Sequence, residues 1–460
     1  MNKHSLSNVN FYPGVRAYSR KGRVYFINTK SGTWAFIPYR YAKAIRDELF
    51  CTEHSQYFNE AYNALAKAMV IRDSRYQQNK VTPQVLPLMV KIRTTGKCNL
   101  QCVYCFNDLS VRNCSMDKET IKKAIEYSFS NPYAANGINF CIYGGEPLMC
   151  KESLYTTLSY ILEKGRNMSN LRVSINTNGT LLTDEDIRYI REHKIQLSVS
   201  FDGLLQFHDQ YRKGISGAKT GKIVLNTIEK LKDYEEFNIL TSITQEMSNH
   251  LLEIALFMEQ EGFPSVEFQP VHLLGCAEGE KKYSINATEY ASSLKALVDA
   301  IEEGQIKNLK LRTIIRFLIP LETGQTLYGE LGDRRCGSGR NSITIDYDGS
   351  ILGCDMMPSK YSPVIGDVDC GINALDKLDA LFLPYGHISP RCTACPWTLF
   401  CRSGCTGASG SDQASCNVRH LASCQINREI YPYLLEKLVS GSGRLHQYFI
   451  KHTKRTSIEW

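Results

Sequence analysis

Six apolar, β-branched runs recur along the middle of the chain, at residues 88–94, 138–143, 171–177, 195–201, 237–243 and 265–270, with helical patterns between them. That alternation leaves few folds open. Parallel strands need long crossovers, and such crossovers are nearly always right-handed, so the segment predicts a parallel sheet covered by helices. On pattern alone an incomplete barrel and a doubly wound sheet both remain. Helix starts are legible too. Asp117 precedes a face of Ile121, Ala124, Ile125 and Phe129, while Thr183 and Asp186 form a capping box with Asp in place of Glu. Later helical patterns cover 222–234, 249–261 and 287–303.

Ahead of this lies a hairpin-like pair at 23–28 and 33–37, turned by Lys30, Ser31 and Gly32, then helical patterns at 40–50 and 56–70 and a polar linker at 72–83. Behind it, from about residue 331, periodicity gives way to Gly- and Cys-rich loops, as in segments folded around metal. A chain 43% hydrophobic and 22% charged is neither disordered nor fibrous. No run reaches the ~20 apolar residues of a membrane span. The first ten residues are polar and show no secretory signal, so a cytoplasmic location is expected. A net charge of +7 is mild for nucleic-acid binding, and RLHQYFIKHTKR near the end reads as a basic, solvated tail.

The cysteines carry the chemistry. There are 17, in a setting where disulfides are disfavoured. Cys98, Cys102 and Cys105 form CxxxCxxC just after the first strand; chance gives such a spacing about 0.02 times per chain. Three thiolates on one loop hold three irons of a 4Fe–4S cube and leave the fourth open, whereas a structural zinc wants four ligands. Downstream stand Cys336-x12-Gly349-x4-Cys354, then Cys392-x2-Cys395-x5-Cys401-x3-Cys405 and Cys424. A zinc ribbon shares the CxxC element, but seven cysteines exceed one tetrahedral site.

CNLQCVYCF resembles the signature of radical S-adenosylmethionine enzymes, and further elements follow in family order. Gly144-Gly145-Glu146-Pro147 resembles the motif that binds the amino group of the methionine moiety. Asn176-Thr177-Asn178-Gly179 ends the third strand, Ser198-Val199-Ser200-Phe201-Asp202-Gly203 ends the fourth, and His208-Asp209-Gln210-Tyr211-Arg212 resembles HDxxR, whose Arg faces the cofactor carboxylate. Tyr104 stands where the family packs a bulky side chain near adenine. The resemblance implies an α/β fold, a partial (β/α)6 TIM-like barrel. It also implies that S-adenosylmethionine chelates the open iron and is cleaved to a 5′-deoxyadenosyl radical that abstracts hydrogen.

The second cysteine set resembles a SPASM domain. By that resemblance Cys392, Cys395, Cys401 and Cys424 hold an outer auxiliary 4Fe–4S cluster, and Cys336, Cys354 and Cys405 an inner one. Where some relatives have a fourth inner ligand this chain has Glu330, with Cys276, Cys370 and Cys416 as substitutes. Asp355 falls where sulfatase-maturing relatives carry the proposed catalytic base. The implied division is a winged-helix-like leader-peptide recognition domain at 1–84, a radical core at 85–305, a bridging segment at 306–330, the SPASM domain at 331–440 and a basic tail at 441–460. The function implied first is a peptide maturase, an oxidoreductase that binds a ribosomally made precursor and installs an intramolecular C–C, thioether or ether crosslink. Its partners are the precursor peptide and an electron donor such as flavodoxin or ferredoxin, with no nucleic acid and no membrane. The alternatives are an anaerobic sulfatase-maturating, formylglycine-generating enzyme and a zinc-binding interaction protein.

Overall fold

The structure is a computed structural model that describes residues 14–29, 32–38, 64–68, 70, 86–107, 113–323, 336–356, 364–373, 392, 395–405 and 421–453. The helix expected at 40–50, most of that at 56–70 and the linker at 72–83 lie outside the described residues.

Near the N-terminus β1 (Val15–Arg20), β2 (Arg23–Asn28) and β3 (Trp34–Pro38) form an antiparallel sheet in that order. The hairpin legible in the sequence is β2–β3. Strand β1 escaped it because VRAYSR is too polar to stand out as a run. Lys21 and Gly22 connect β1 to β2 with φ of 44° and 71°, the paired positive angles that a two-residue hairpin turn demands. The sheet rests on the C-terminal half. Tyr18 meets the Trp397 ring edge-on at 5.3 Å, Trp34 Nε1 donates to the Leu321 carbonyl at 2.7 Å, and Arg20 and Lys21 pair with Glu436.

The main sheet takes strands from β4 (Leu88–Thr95), β6 (Ile138–Gly144), β7 (Leu171–Thr177), β8 (Gln196–Ser200), β10 (Phe237–Ile243), β11 (Ser265–Pro270) and β12 (Lys310–Leu311). Two short strands, β5 (Leu100–Cys102) and β9 (Arg212–Gly214), pair with each other outside it. All six strands expected from the runs are present, parallel, and adjacent in the order β11-β10-β8-β7-β6-β4. Their alternation has two consequences. Val90, Ile92, Phe140, Ile142, Leu197, Val199 and Ile239 are buried in the apolar core. The intervening Lys91, Cys141, Ser174, Ser198, Leu240 and Glu267, one from each strand, all line a single cavity of about 1780 Å³. The inner face of the sheet is therefore concave. The Asp117 cap on helix Lys118–Ser130 and the Thr183–Asp186 capping box on helix Asp184–Glu192 both form as expected.

Three boundaries differ from the sequence reading. Within the expected bridge, Lys310–Leu311 pairs in parallel with β11 and leads into helix Arg312–Thr323, whose Thr313 hydroxyl accepts from Phe268 N at 2.8 Å. A two-residue strand leaves no run to read. Beyond residue 331 the sheet simply continues: β13 (Ser342–Ile345) pairs in parallel with β4, and β14 (Ser350–Leu352), β15 (Val364–Asp367) and β16 (Gly371–Ile372) extend it antiparallel. Finally, most of the expected solvated tail is a docked helix, Arg444–Thr453. It buries Leu445, Tyr448 and Phe449, and the Tyr448 hydroxyl donates to the Leu309 carbonyl at 2.6 Å. That apolar i, i+3, i+4 spacing is masked by the basic residues around it.

Candidate functional site

Strand β4 ends at Thr95, and the chain then turns under the mouth of the cavity to carry Cys98, Cys102 and Cys105. Two neighbours fix this loop. Strand β5 is paired with β9, Cys102 opposite Arg212, and the Cys105 carbonyl accepts from Cys276 N at 2.8 Å. Gly275 permits that second contact: its φ is +57°, and a Cβ there would lie 2.4 Å from the Cys105 carbonyl oxygen. Burial pushes the Cys102 thiol up to about 12; Arg212 opposes the shift, and the neighbouring Cys105 and Cys98 add to it. The three thiols thus crowd one another. Such crowding is costly for thiolates alone and is relieved when a cation binds them.

The same test sorts the C-terminal cysteines. Burial pushes Cys354 up to about 12, with Asp355, Cys405 and Cys336 adding to the shift against Lys91. Burial likewise raises Cys401 to about 12, with Cys424, Cys392 and Cys395 as its thiol neighbours. Electrostatic neighbourhood thus relates Cys102 to Cys98 and Cys105, Cys354 to Cys336 and Cys405, and Cys401 to Cys392, Cys395 and Cys424. Separating Cys401 from Cys405 needs a special backbone, because helical residues four apart share a face. The helix Thr398–Cys401 stops, and Arg402, Ser403 and Gly404 follow with φ of 45°, 67° and 82°. This left-handed run sends the two thiols to different groups. Backbone amides point at sulfur in two places, Leu100 N to Cys98 Sγ and Met356 N to Cys354 Sγ, both at 3.4 Å, as suits a thiolate acceptor. Among the described residues no three His, Cys, Asp or Glu converge closely enough to hold a single metal ion. Zn–S bonds of about 2.3 Å would require such convergence, whereas an iron–sulfur cube holds its thiolates farther apart.

Of the proposed substitutes for the fourth inner ligand, neither described one joins the 336/354/405 group. Cys276 sits beside the first group, and Cys370 is exposed in the turn between β15 and β16. Glu330 and Cys416 lie outside the described residues.

The expected cofactor-binding residues divide in two. Tyr104, Gly144, Gly145, Asn176, Asn178, Ser198, Ser200 and Arg212 line the cavity. Glu146 and Asp202 do not: both are fully buried, and other parts of the chain occupy their carboxylates. Glu146 accepts from Leu148 N (3.1 Å), Thr177 Oγ1 (2.7 Å) and Asn178 N (2.6 Å), so it pins the loop after β7. Burial raises its pKa, and those three donors oppose the rise. Asp202 accepts from Arg212 Nε (3.0 Å), from Ser242 N (3.1 Å) and from the Tyr104 hydroxyl. Arg212 in turn reaches Ser242 Oγ (3.1 Å) and lies 5.4 Å over the Tyr104 ring. Burial works against its charge, but Asp202, Tyr104 and Cys102 outweigh that and hold it cationic. Asp202 therefore positions Arg212 and Tyr104 at the cavity wall.

The Gly-Gly pair has a structural cause as well. A Cβ on Gly145 would lie 2.3 Å from the Lys97 carbonyl and 2.5 Å from that of Gly96, so the end of β6 presses directly on the cysteine loop. Gly145→Ala is expected to cost about 1–3 kcal/mol by overpacking, measured by denaturant unfolding of the apoprotein.

His208 lies behind this wall, fully buried. Its Nδ1 accepts from Asp202 N at 3.4 Å, its Nε2 donates to Thr220 Oγ1 at 3.1 Å, and Thr220 donates to the Arg212 carbonyl at 2.6 Å. Burial lowers its pKa from 6.5 to about 4, outweighing the opposite pull of Asp202. A depressed histidine contributes stability above 6.5 that is lost as pH falls toward 4. Equilibrium unfolding of the apoprotein across that window is expected to show the loss, and His208→Gln to flatten it.

The sequence reading missed Lys91. Its ammonium opens onto the cavity and pairs with Asp355 Oδ1 at 2.7 Å. Burial opposes its charge, but Asp355 and Cys354 outweigh burial and raise its pKa. The available signal was a lysine in the middle of an apolar strand. Asp355 faces the same cavity as the 98/102/105 and 336/354/405 groups. Arg93, two residues along β4, pairs with Asp346 at 3.0 Å and lies 5.8 Å over the Tyr143 ring.

Residues 92–257 match the Radical SAM superfamily. The cysteine-type anaerobic sulfatase-maturating enzyme of Clostridium perfringens (strain 13 / Type A) is 26% identical over 382 residues, which cover 78% of this chain and 99% of that protein. In fold, the chain resembles anSMEcpe with bound AdoMet and Cp18Cys peptide, with a TM-score of 0.62, 22% identity, and coverage of 77% of this chain and 98% of that one. It also resembles Streptococcus suis SuiB bound to precursor peptide SuiA, with a TM-score of 0.54, 14% identity, and coverage of 91% and 100%. No helix among the described residues is long and apolar enough to cross a membrane. The chain carries a radical S-adenosylmethionine domain, of the enzyme superfamily whose cofactors are S-adenosylmethionine and a 4Fe–4S cluster.

Proposed function

We propose that this radical S-adenosylmethionine enzyme oxidises a cysteine or serine side chain within a polypeptide to formylglycine. One observation carries the reading: the Asp355 carboxylate opens, beside Lys91, into the cavity shared by two thiol groups. The sequence alone ranked crosslinking first. The curated relatives reverse that order, since an anaerobic sulfatase-maturating enzyme aligns over 99% of its length.

In this reading Cys98, Cys102 and Cys105 hold the cluster at which S-adenosylmethionine is reduced, and Cys336, Cys354 and Cys405 with Cys392, Cys395, Cys401 and Cys424 hold two auxiliary ones. When bound, these cofactors supply a hydrogen-abstracting radical and accept the electron that the oxidation releases. The chain's own residues do the rest. Arg212, braced by Asp202, offers a fixed cation to a cofactor carboxylate, and Ser198, Ser200, Asn176 and Asn178 offer polar contacts along the strand ends. Asp355 takes the proton from the substrate hydroxyl or thiol, and Lys91 keeps that carboxylate in place. Serine then reaches the aldehyde directly, whereas cysteine gives a thioaldehyde that water hydrolyses to the aldehyde with release of hydrogen sulfide.

The test is anaerobic turnover with a sulfatase-derived peptide containing cysteine or serine. A product that reacts with a hydrazide probe supports the reading, and its absence alongside S-adenosylmethionine cleavage counts against it. A second reading, crosslinking of a ribosomal precursor, is favoured by the β1–β3 sheet, which packs against Trp397 and Glu436. It predicts a product that has lost two hydrogens, gives no hydrazide adduct, and no longer forms once residues 1–84 are deleted.

A further inference from the structure

The large cavity extends well beyond the Lys91–Asp355 pair. Its lining runs from the loop bearing Cys98, Cys102 and Cys105 to Met89, Asn139, Arg172 and Gln196, toward the N-terminal ends of β4, β6, β7 and β8. Strand register places these residues. Lys91 lies opposite Cys141, and one step deeper Met89 lies opposite Asn139, itself opposite Arg172. Gln196 lies opposite Ser174. Because side chains alternate, Asn139 shares the inner face with Cys141, and Gln196 shares it with Ser198. Asn139 is roughly 16 Å along β6 from Gly144, where the expected cofactor contacts begin. It lies only about 7 Å deeper than the level of Lys91, which holds Asp355.

The chemistry above gives this deep end no task, yet its composition is specific. The Asn139 and Gln196 side chains are half-buried, and neither amide has a hydrogen-bond partner among the described residues. Around them the lining is largely apolar, with Leu162, Met168, Leu171 and Phe237. A few polar groups set into an apolar cavity wall are the pattern of a ligand site. Their chemistry identifies the ligand. A carboxamide is planar and carries a donor and an acceptor, the same pair as a peptide group. A polypeptide that leaves water must have its N–H and C=O groups met, and uncharged amides meet both. Asn139 and Gln196 stand on either side of β7, two strand spacings across and two residues along. Their Cα atoms are therefore about 12 Å apart, the span of roughly three to four residues of extended chain.

We propose that Asn139 and Gln196 hold the main chain of the substrate polypeptide beside the residue that reacts. Each carboxamide accepts from a peptide N–H and donates to a peptide C=O, and the two contacts fall about three residues apart. Recognition at this end reads backbone and tolerates changes of side chain. The inference rests on the reading that the substrate is a polypeptide, and not on which product forms.

The probe is the sulfatase-derived cysteine peptide with an N-terminal fluorescein, titrated anaerobically into full-length, iron-loaded protein with S-adenosylmethionine and no reductant. Fluorescence anisotropy then gives affinity without turnover. Asn139→Leu and Gln196→Leu are each expected to weaken binding about tenfold. In turnover KM should rise while kcat stays within about twofold, and S-adenosylmethionine cleavage without peptide should be unchanged. In wild type, methylating the peptide nitrogens one at a time should reveal two sensitive positions about three residues apart. One should turn insensitive in Asn139→Leu and the other in Gln196→Leu, whereas alanine side chains at both positions should leave binding nearly unchanged. Wild-type affinity in both variants would overturn the proposal. So would a loss that follows side-chain identity, or an equal fall in peptide-free S-adenosylmethionine cleavage. Wild type that binds no peptide sinks this inference, whereas wild type that binds the peptide and gives no hydrazide adduct sinks the formylglycine reading alone.

Discussion

Replacing Asp202 by alanine is expected to cost about 3–5 kcal/mol of unfolding free energy, the largest single-residue effect on stability that we anticipate. The carboxylate is fully buried and meets Arg212 Nε at 3.0 Å, Ser242 N at 3.1 Å and the Tyr104 hydroxyl. Removing it leaves a buried guanidinium without its counter-charge and strands two donors. The effect exceeds that of a surface ion pair, for which water screens most of the gain. Denaturant titration of the apoprotein measures it. The Arg191–Asp233 pair on the surface supplies the contrast, since the Asp233 side chain is 78% exposed and Asp233→Ala is expected to leave stability nearly unchanged. Equal losses at the two sites would remove Asp202 from its positioning role.

The largest effect on catalysis is expected at Asp355. Asp355→Asn keeps the shape of the side chain but removes the proton acceptor, and product formation should fall about 10²–10⁴-fold. S-adenosylmethionine cleavage in the absence of substrate should persist, because no contact of Asp355 reaches Arg212, Ser198 or Ser200. The split between the two readouts decides the matter. If both fall together, Asp355 acts through the fold. If neither falls, the proton leaves by another route.

The framework of the site was legible in the sequence because it rests on local patterns. Six strand runs, the Asp117 cap and the Thr183–Asp186 box depend only on neighbouring residues. Spacing made the clustering of the cysteines legible, while their division into three groups, with Cys401 separated from Cys405, came only as what the resemblance to a SPASM domain implies. The backbone that achieves that separation was not legible, because neither Arg402 nor Ser403 announces a left-handed conformation. Long-range pairings stayed hidden. Lys91 and Asp355 are 264 positions apart, and neither strand pattern nor motif links them. Glu146 and Asp202 show a different relation between motif and fold. Both stand in motifs that resemble ligand contacts, yet in the folded chain their oxygens are taken by Thr177, Asn178, Arg212 and Ser242. A motif marks a place in the fold, while hydrogen-bond satisfaction decides what the side chain does there. The docked helix Arg444–Thr453 was lost for a simpler reason: its basic residues suggested a solvated tail, although Leu445, Tyr448 and Phe449 share one face.

An iron and zinc count on protein purified without oxygen tests the central claim most directly. Three thiol groups that each hold a four-iron cube predict about 12 iron per chain and negligible zinc, with Cys98→Ala falling to about 8 and losing all S-adenosylmethionine cleavage. A colourless protein carrying zinc, or a variant that keeps its full iron and still cleaves S-adenosylmethionine, would contradict it.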